Sequence, residues 1–218
     1  MNSACSKLSL FPTTVLALIV FPVLAVAQNT AQAGLPKFEQ VNEKLFRGGQ
    51  PRPGALLRLR ELGIDTIINL RGTSKRTRSE GAEARALGLN YFNISLPNWG
   101  RPQDERVNRI LLIINAPQNG RVFVHCKDGV DRTGTIVALH RITREGWKTN
   151  DALAEAEQRG MRRIQIWMRD YAEDYAHRVE HPYADDDLGD RLGFGMRIVE
   201  REAFRARHIG RRFWRQLF

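Results

Sequence analysis

The run Val-His-Cys-Lys-Asp-Gly-Val-Asp-Arg-Thr-Gly at 124–134 constrains this 218-residue chain more than any other feature. Residues 121–125 before it are β-branched and aromatic and read as a buried strand, while residues 133–144 after it read as a helix. A strand that passes into a helix through so short a loop presents successive backbone N–H groups as a nest, with the positive end of the helix dipole behind them. That is an anion site. Gly129 allows the loop to curl without a Cβ, and Gly134 is expected to let the helix pack closely. Arg132 opens the helix and offers a planar fork to two oxygens of one anion, which a lysine could not do. Cys126 lies in the same field, and thiols so placed are activated nucleophiles.

The remainder supplies a scaffold. Residues 38–47 read as a strand or short hairpin ending at Gly48-Gly49-Gln50-Pro51. Helices are predicted over 54–62, 80–87, 103–115, 149–159 and 164–179, and strands over 66–70 and 91–96. Strands alternating with helices predict an α/β fold, a central, mostly parallel sheet flanked by helices on both faces. Arg47 and Arg71, each at a strand end, are candidates to face the pocket. The acidic run at 185–187 has no matching carboxylate spacing around it and reads as a solvated turn, so no metal site is expected.

The ends carry different signals. Lys7 is followed by no charged residue until Lys37, and residues 8–27 are nearly all apolar, with Ala25-Val26-Ala27 as a small-residue cleavage pattern. Residues 1–27 therefore read as a signal peptide, making the protein exported, periplasmic or secreted; an N-terminal membrane anchor is the competing reading. Residues 28–35 follow as a linker, 36–180 as the folded domain and 181–218 as a basic helical tail. The net charge is +10, and residues 191–218 hold eight arginines against two glutamates. Such a balance favours anionic partners. The tail can lie on an anionic membrane surface as a basic amphipathic helix or pack on the domain, and no nucleic acid is expected. Of the two cysteines, Cys5 would leave with the signal, so the lone thiol Cys126 has no disulfide partner and should be inactivated readily by peroxide.

His125, Cys126, Arg132, Thr133 and Gly134 together resemble the signature of the protein tyrosine phosphatase superfamily, His-Cys-x5-Arg-[Ser/Thr]-Gly. Residues 45–51, 68–71 and 146–147 look like the bacterial dual-specificity branch, and the resemblance covers about 38–159. It implies a cysteine-phosphatase fold and a two-step hydrolysis of phosphate monoesters without metal or cofactor. Cys126 attacks phosphorus, an acid protonates the leaving oxygen, and water then opens the cysteinyl-phosphate. By this resemblance Lys127, Asp128, Gly129, Val130, Asp131 and Arg132 line the phosphate, His125 orders the cysteine backbone and Thr133 offers its hydroxyl to the sulfur. The family's acid is an Asp ahead of the signature, but here Asn98 follows Pro97, and Asn has no proton to give. Asp131 resembles the loop acid of myotubularin lipid phosphatases and is the first candidate, with loop bracing as its alternative. Asp104, expected in a helix first turn, is the second. Substrates are a phosphorylated protein or, on the strength of Lys127 and Asp131, a phosphoinositide or inositol phosphate. A phosphate-binding module without turnover remains the non-enzymatic alternative.

Overall fold

The computed structural model describes residues 33–162 and 166–180. The proposed signal, most of the linker, the acidic run at 185–187 and the basic tail lie outside the described residues. Strands β1 (Glu39–Gln40) and β2 (Leu45–Gly48) form the N-terminal hairpin. There follow α1 (Leu56–Glu61), β3 (Thr66–Asn69), α2 (Lys75–Ala86), β4 (Asn90–Asn93), α3 (Asp104–Asn115), β5 (Val122–His125), α4 (Asp131–Glu145), α5 (Thr149–Gln158) and α6 (Ile166–Glu180). The sheet order is β1-β2-β5-β3-β4, and only β1 runs antiparallel to its neighbour.

Side chains alternate across this sheet with a period of two, so each strand feeds two cores. Leu45, Ile68, Val122 and Val124 point into one with Val107 and Ile110 of α3, Ile136 and Leu139 of α4, Leu153 of α5 and Tyr171 of α6. Phe46, Ile67 and Phe123 point into the other, with Leu56 and Leu59 of α1 and Ala84 of α2. Helices therefore cover both faces, and β2, β3 and β5 are buried throughout. Burial on both faces is what a parallel sheet requires, and it explains why these strands read as apolar runs. Helix α4 is buried along residues 131–142, so the loop that precedes it is anchored to a helix packed on all sides.

Several boundaries differ from the predicted ones. Helix α2 starts at Lys75, because Ser74 and Thr77 form a reciprocal capping box that nucleates it earlier. Helix α4 starts at Asp131, which brings Asp131 and Arg132 into its first turn. Leu35, assigned to the linker, is 4% exposed and packs with Phe46 and Leu56 in the second core.

Candidate active site at the carboxyl ends of the parallel strands

Strands β2, β5 and β3 end in register, with Gly48 and Asn69 both opposite His125. The residues that follow them, Gly49-Gln50, Cys126 and Leu70-Arg71, therefore emerge at the carboxyl edge of the sheet, where open α/β sheets bind ligands. The loop of Cys126 is tied down from several sides. The Gln50 N–H donates to the Lys127 carbonyl at 3.0 Å, and Nη2 of Arg47 donates to the Gly129 carbonyl at 2.9 Å. The Gly129 N–H turns inward to the Cys126 sulfur at 3.3 Å, as an anion-binding loop requires. Gly129 has φ +73°, and a Cβ there would lie 2.5 Å from the Gly48 carbonyl carbon. Glycine is obligatory at this position for both reasons. At Gly134 a Cβ would meet Ala156, Arg47 and Met161 at ordinary distances of 3.5, 3.8 and 3.9 Å, so the close helix approach expected of that glycine is not what the structure demands.

Cys126 is 2% exposed and Arg132 9% exposed, with Nη1 of Arg132 donating to the Leu70 carbonyl at 3.3 Å. Cys126 is thus more enclosed than the exposed thiolate that ready peroxide inactivation assumes. Thr133 is fully buried and its hydroxyl has no hydrogen-bond partner, an uncommon state that leaves it free to serve a transient one. Lys127 and Asp128 are exposed on the loop's outer side, while Gly129 and Val130 are buried.

The two carboxylates weighed as acids are both engaged. Asp131 is buried, and it accepts the Arg162 backbone N–H at 2.9 Å and the same residue's Nε and Nη2 at 2.9 and 2.5 Å. Asp131 in turn raises the Arg162 guanidinium above its ordinary value. Asp104, the first residue of α3, accepts from the Tyr171 hydroxyl at 2.7 Å and from Arg178 at 3.1 Å, stapling α3 to α6. Burial, followed by the bond to Asp104, pushes the Tyr171 hydroxyl upward, and burial with nearby Asp104 pushes Tyr175 up to about 12. Asn98 lies exposed on the segment between β4 and α3.

Arg47 is 2% exposed, beneath the loop rather than at its mouth, and burial lowers its pKa. Arg71 donates through Nη1 to Oε1 of Gln50 at 2.6 Å. Sequence reasoning missed Glu80. This α2 residue is 6% exposed and meets His125 Nε2 at 2.7 Å, while Asn69 and Gln50 donate to its other oxygen. The available signal was an acid on the helix face otherwise made of Thr77, Gly81 and Ala84. Among the described residues no cluster of His, Cys, Asp or Glu is arranged to hold a metal ion.

A mostly parallel sheet with a cysteine at the tip of its central strand, an inward-turned glycine amide and an arginine opening the next helix defines the cysteine-phosphatase fold. The chain belongs to the family described as "DSP-PTPase phosphatase fused to NAD+ Kinase", whose model matches residues 18–173. It is 28% identical over 123 residues to the dual specificity protein phosphatase TpbA of Pseudomonas aeruginosa, covering 56% of this chain and 53% of TpbA. It is also 28% identical over 108 residues to the inositol diphosphatase DSP4 of Arabidopsis thaliana, covering 48% and 54% respectively. The chain thus spans about half the length of the curated relatives it matches. The crystal structure of P. aeruginosa TpbA aligns with a TM-score of 0.54 at 22% identity, over 66% of this chain and 90% of that one, a likeness of fold.

Proposed function

We propose that this protein is a phosphoric monoester hydrolase of the dual-specificity protein phosphatase type. The observation that carries the reading is the Cys126 sulfur accepting the Gly129 amide inside a loop that opens directly into buried α4. In the first step an S–P bond forms at Cys126 as the P–O bond to the leaving group breaks. Loop amides and the Arg132 fork meet the charge on the equatorial oxygens. In the second step water bonds to phosphorus as the S–P bond breaks, inorganic phosphate leaves with the water's protons shared between it and solvent, and the buried Thr133 hydroxyl supports the departing thiolate. Asp131, with both oxygens accepting from Arg162, is better placed to brace the loop than to give a proton, since an acid must have a hydrogen to donate.

TpbA, named a dual specificity protein phosphatase, supports a phosphoprotein substrate. The second reading, a phosphoinositide or inositol phosphate substrate, draws on the comparable identity to an inositol diphosphatase and on Lys127 standing exposed beside the loop. We further propose export directed by residues 1–27, on the apolar run and its small-residue cleavage pattern, and contact of the basic tail with anionic membranes, on its arginine spacing.

A panel of phosphopeptides, phosphoinositides and a generic aryl phosphate tests these readings together. Turnover of the aryl phosphate should fall on the order of a thousandfold or more in Cys126→Ser. Phosphate binding without turnover in the unaltered protein would instead make it a binding module. Preference for inositol phosphates over phosphopeptides would move it to the second reading.

A further inference from the structure

Behind the nucleophile lies a buried pair that the chemistry above does not use. His125 is fully buried, with Nδ1 3.1 Å from the Cys126 carbonyl oxygen and Nε2 2.7 Å from Oε1 of Glu80. A carbonyl oxygen only accepts, so Nδ1 carries a hydrogen. On the other side, Oε2 of Glu80 accepts from Nδ2 of Asn69 at 3.2 Å and from Nε2 of Gln50. Those amide orientations are fixed by Arg71, a pure donor. Its Nη1 donates to Oε1 of Gln50 at 2.6 Å and its backbone N–H to Oδ1 of Asn69 at 2.8 Å. One proton therefore remains to be shared between Nε2 and Oε1. The two amide donors that face Oε2 suit a carboxylate on Glu80, which puts the shared proton on the ring nitrogen.

We propose that Glu80 is a positioning residue for hydrolysis: it holds His125 as an imidazolium that donates to the Cys126 carbonyl, keeping a positive charge and a fixed backbone at the peptide of the nucleophile. The inference rests on the phosphatase reading of Cys126. Other charges around the pair do not replace it. Phe123 stacks on the imidazole with centroids 5.5 Å apart, and the Arg71 charge stands behind Gln50. Tyr91 reaches Asn69 from β4, and its ionisation is suppressed by burial and by Glu80 itself. Around the sulfur lie Arg47 and Arg162, the latter also sensing Asp128 and bound to Asp131, with Arg132 opening the helix. Of all these groups, His125 alone bonds the peptide of the nucleophile.

The test is the rate of iodoacetamide alkylation of Cys126 across pH in the full chain, with Cys126→Ser giving the background from Cys5. In Glu80→Gln the alkylation midpoint should move about one pH unit higher, as expected when a cation at the peptide of the nucleophile is lost, and the acid limb of kcat/KM should move with it. Glu80→Asp, which keeps the carboxylate, should return the midpoint most of the way. The Glu80→Gln/His125→Gln double variant should match His125→Gln alone, because Glu80 acts through the ring. A Glu80→Gln protein that melts earlier but keeps the original midpoint overturns the proposal and leaves Glu80 a packing residue. Should that variant not fold, NMR of the nitrogen-labelled imidazole in the unaltered protein decides. Two protonated ring nitrogens near neutral pH are expected, and a single neutral tautomer contradicts the pair. If the protein showed no Cys126-dependent turnover, the alkylation midpoint and the imidazole NMR signal would remain measurable, so failure of the phosphatase reading is separable from failure of this one.

Discussion

The loop after β5 and the segment before α3 are built in opposite ways. The first is held by Arg47 and Gln50 from below, by its own Gly129 amide on the sulfur, and by backbone contact with Gly48. The second carries Asn98 and Trp99, the latter 60% exposed, between the buried Leu96 and Pro102, and its exposed stretch is tied by the Trp99–Trp167 ring contact, the exposed Arg101–Asp174 pair and Arg101 over the Tyr171 ring. The first is thus fixed by bonds from β2 and from the residues after it, and the second has few such ties. Residues 98–101, where the family resemblance would place an acid, are exposed. On the proposed reading, the loop that would meet phosphorus is braced by the fold, and the stretch that would hold an acid is not.

Removing the Arg132 fork should cut deepest after loss of the cysteine itself. Arg132→Lys keeps the charge but cannot grip two oxygens, and kcat on an aryl phosphate should fall on the order of a hundredfold; unchanged turnover would mean the loop amides do the work alone. Gly129→Ala comes next, because it combines a positive φ with a 2.5 Å backbone clash. It should lower stability by about 1–3 kcal/mol in denaturant unfolding. Trp99→Ala in the opposite segment should change it by less than about 0.5 kcal/mol, as exposed surface positions usually do. Equal effects of the two would erase the contrast between the loops.

The acid question sharpens the same comparison. Asp131→Asn should weaken turnover of activated and poor leaving groups alike, since it loosens the Arg162 brace. A selective loss on the poor leaving group would instead restore Asp131 as the proton donor. In Asp104→Asn the Tyr171 and Arg178 contacts weaken, so stability should drop by roughly 1 kcal/mol while leaving-group dependence is unchanged. The smallest effect concerns Tyr175, whose hydroxyl donates to Asn108 at 2.7 Å. Its pKa is raised to about 12 in the folded protein against about 10 in an unfolded chain. The folded state therefore holds this proton more tightly, and the contribution is fully present below about pH 10 and lost as pH rises towards about 12. Denaturant midpoints measured across that window should decline less steeply in Tyr175→Phe than in the unaltered protein.

Local chemistry was legible along the chain where one segment carries it all. The strand, the loop glycine and the helix that frame Cys126 lie within residues 121–144, so periodicity and turn chemistry place them without tertiary information. The alternation of Phe46, Ile67 and Phe123 against Leu45, Ile68 and Val124 likewise follows from the strand period once the strands are recognised. What stayed hidden depends on distant partners. Glu80 is 45 residues from His125 along the chain, and only the packing of α2 against the ends of β3 and β5 brings them together. The cover that Arg162 gives both oxygens of Asp131 was hidden too, because nothing near Asp131 along the chain reveals it. Leu35 joined the core although the small, polar residues before it read as a linker.

The central claim is that the sulfur of Cys126 takes the phosphoryl group from its substrate. Rapid acid quench during turnover of an aryl phosphate, followed by peptide mass analysis, tests it directly. One phosphoryl group on Cys126 is the expected result, absent from the Cys126→Ser protein. Undiminished turnover by Cys126→Ser, or a phosphoryl group recovered on any other residue, would contradict it.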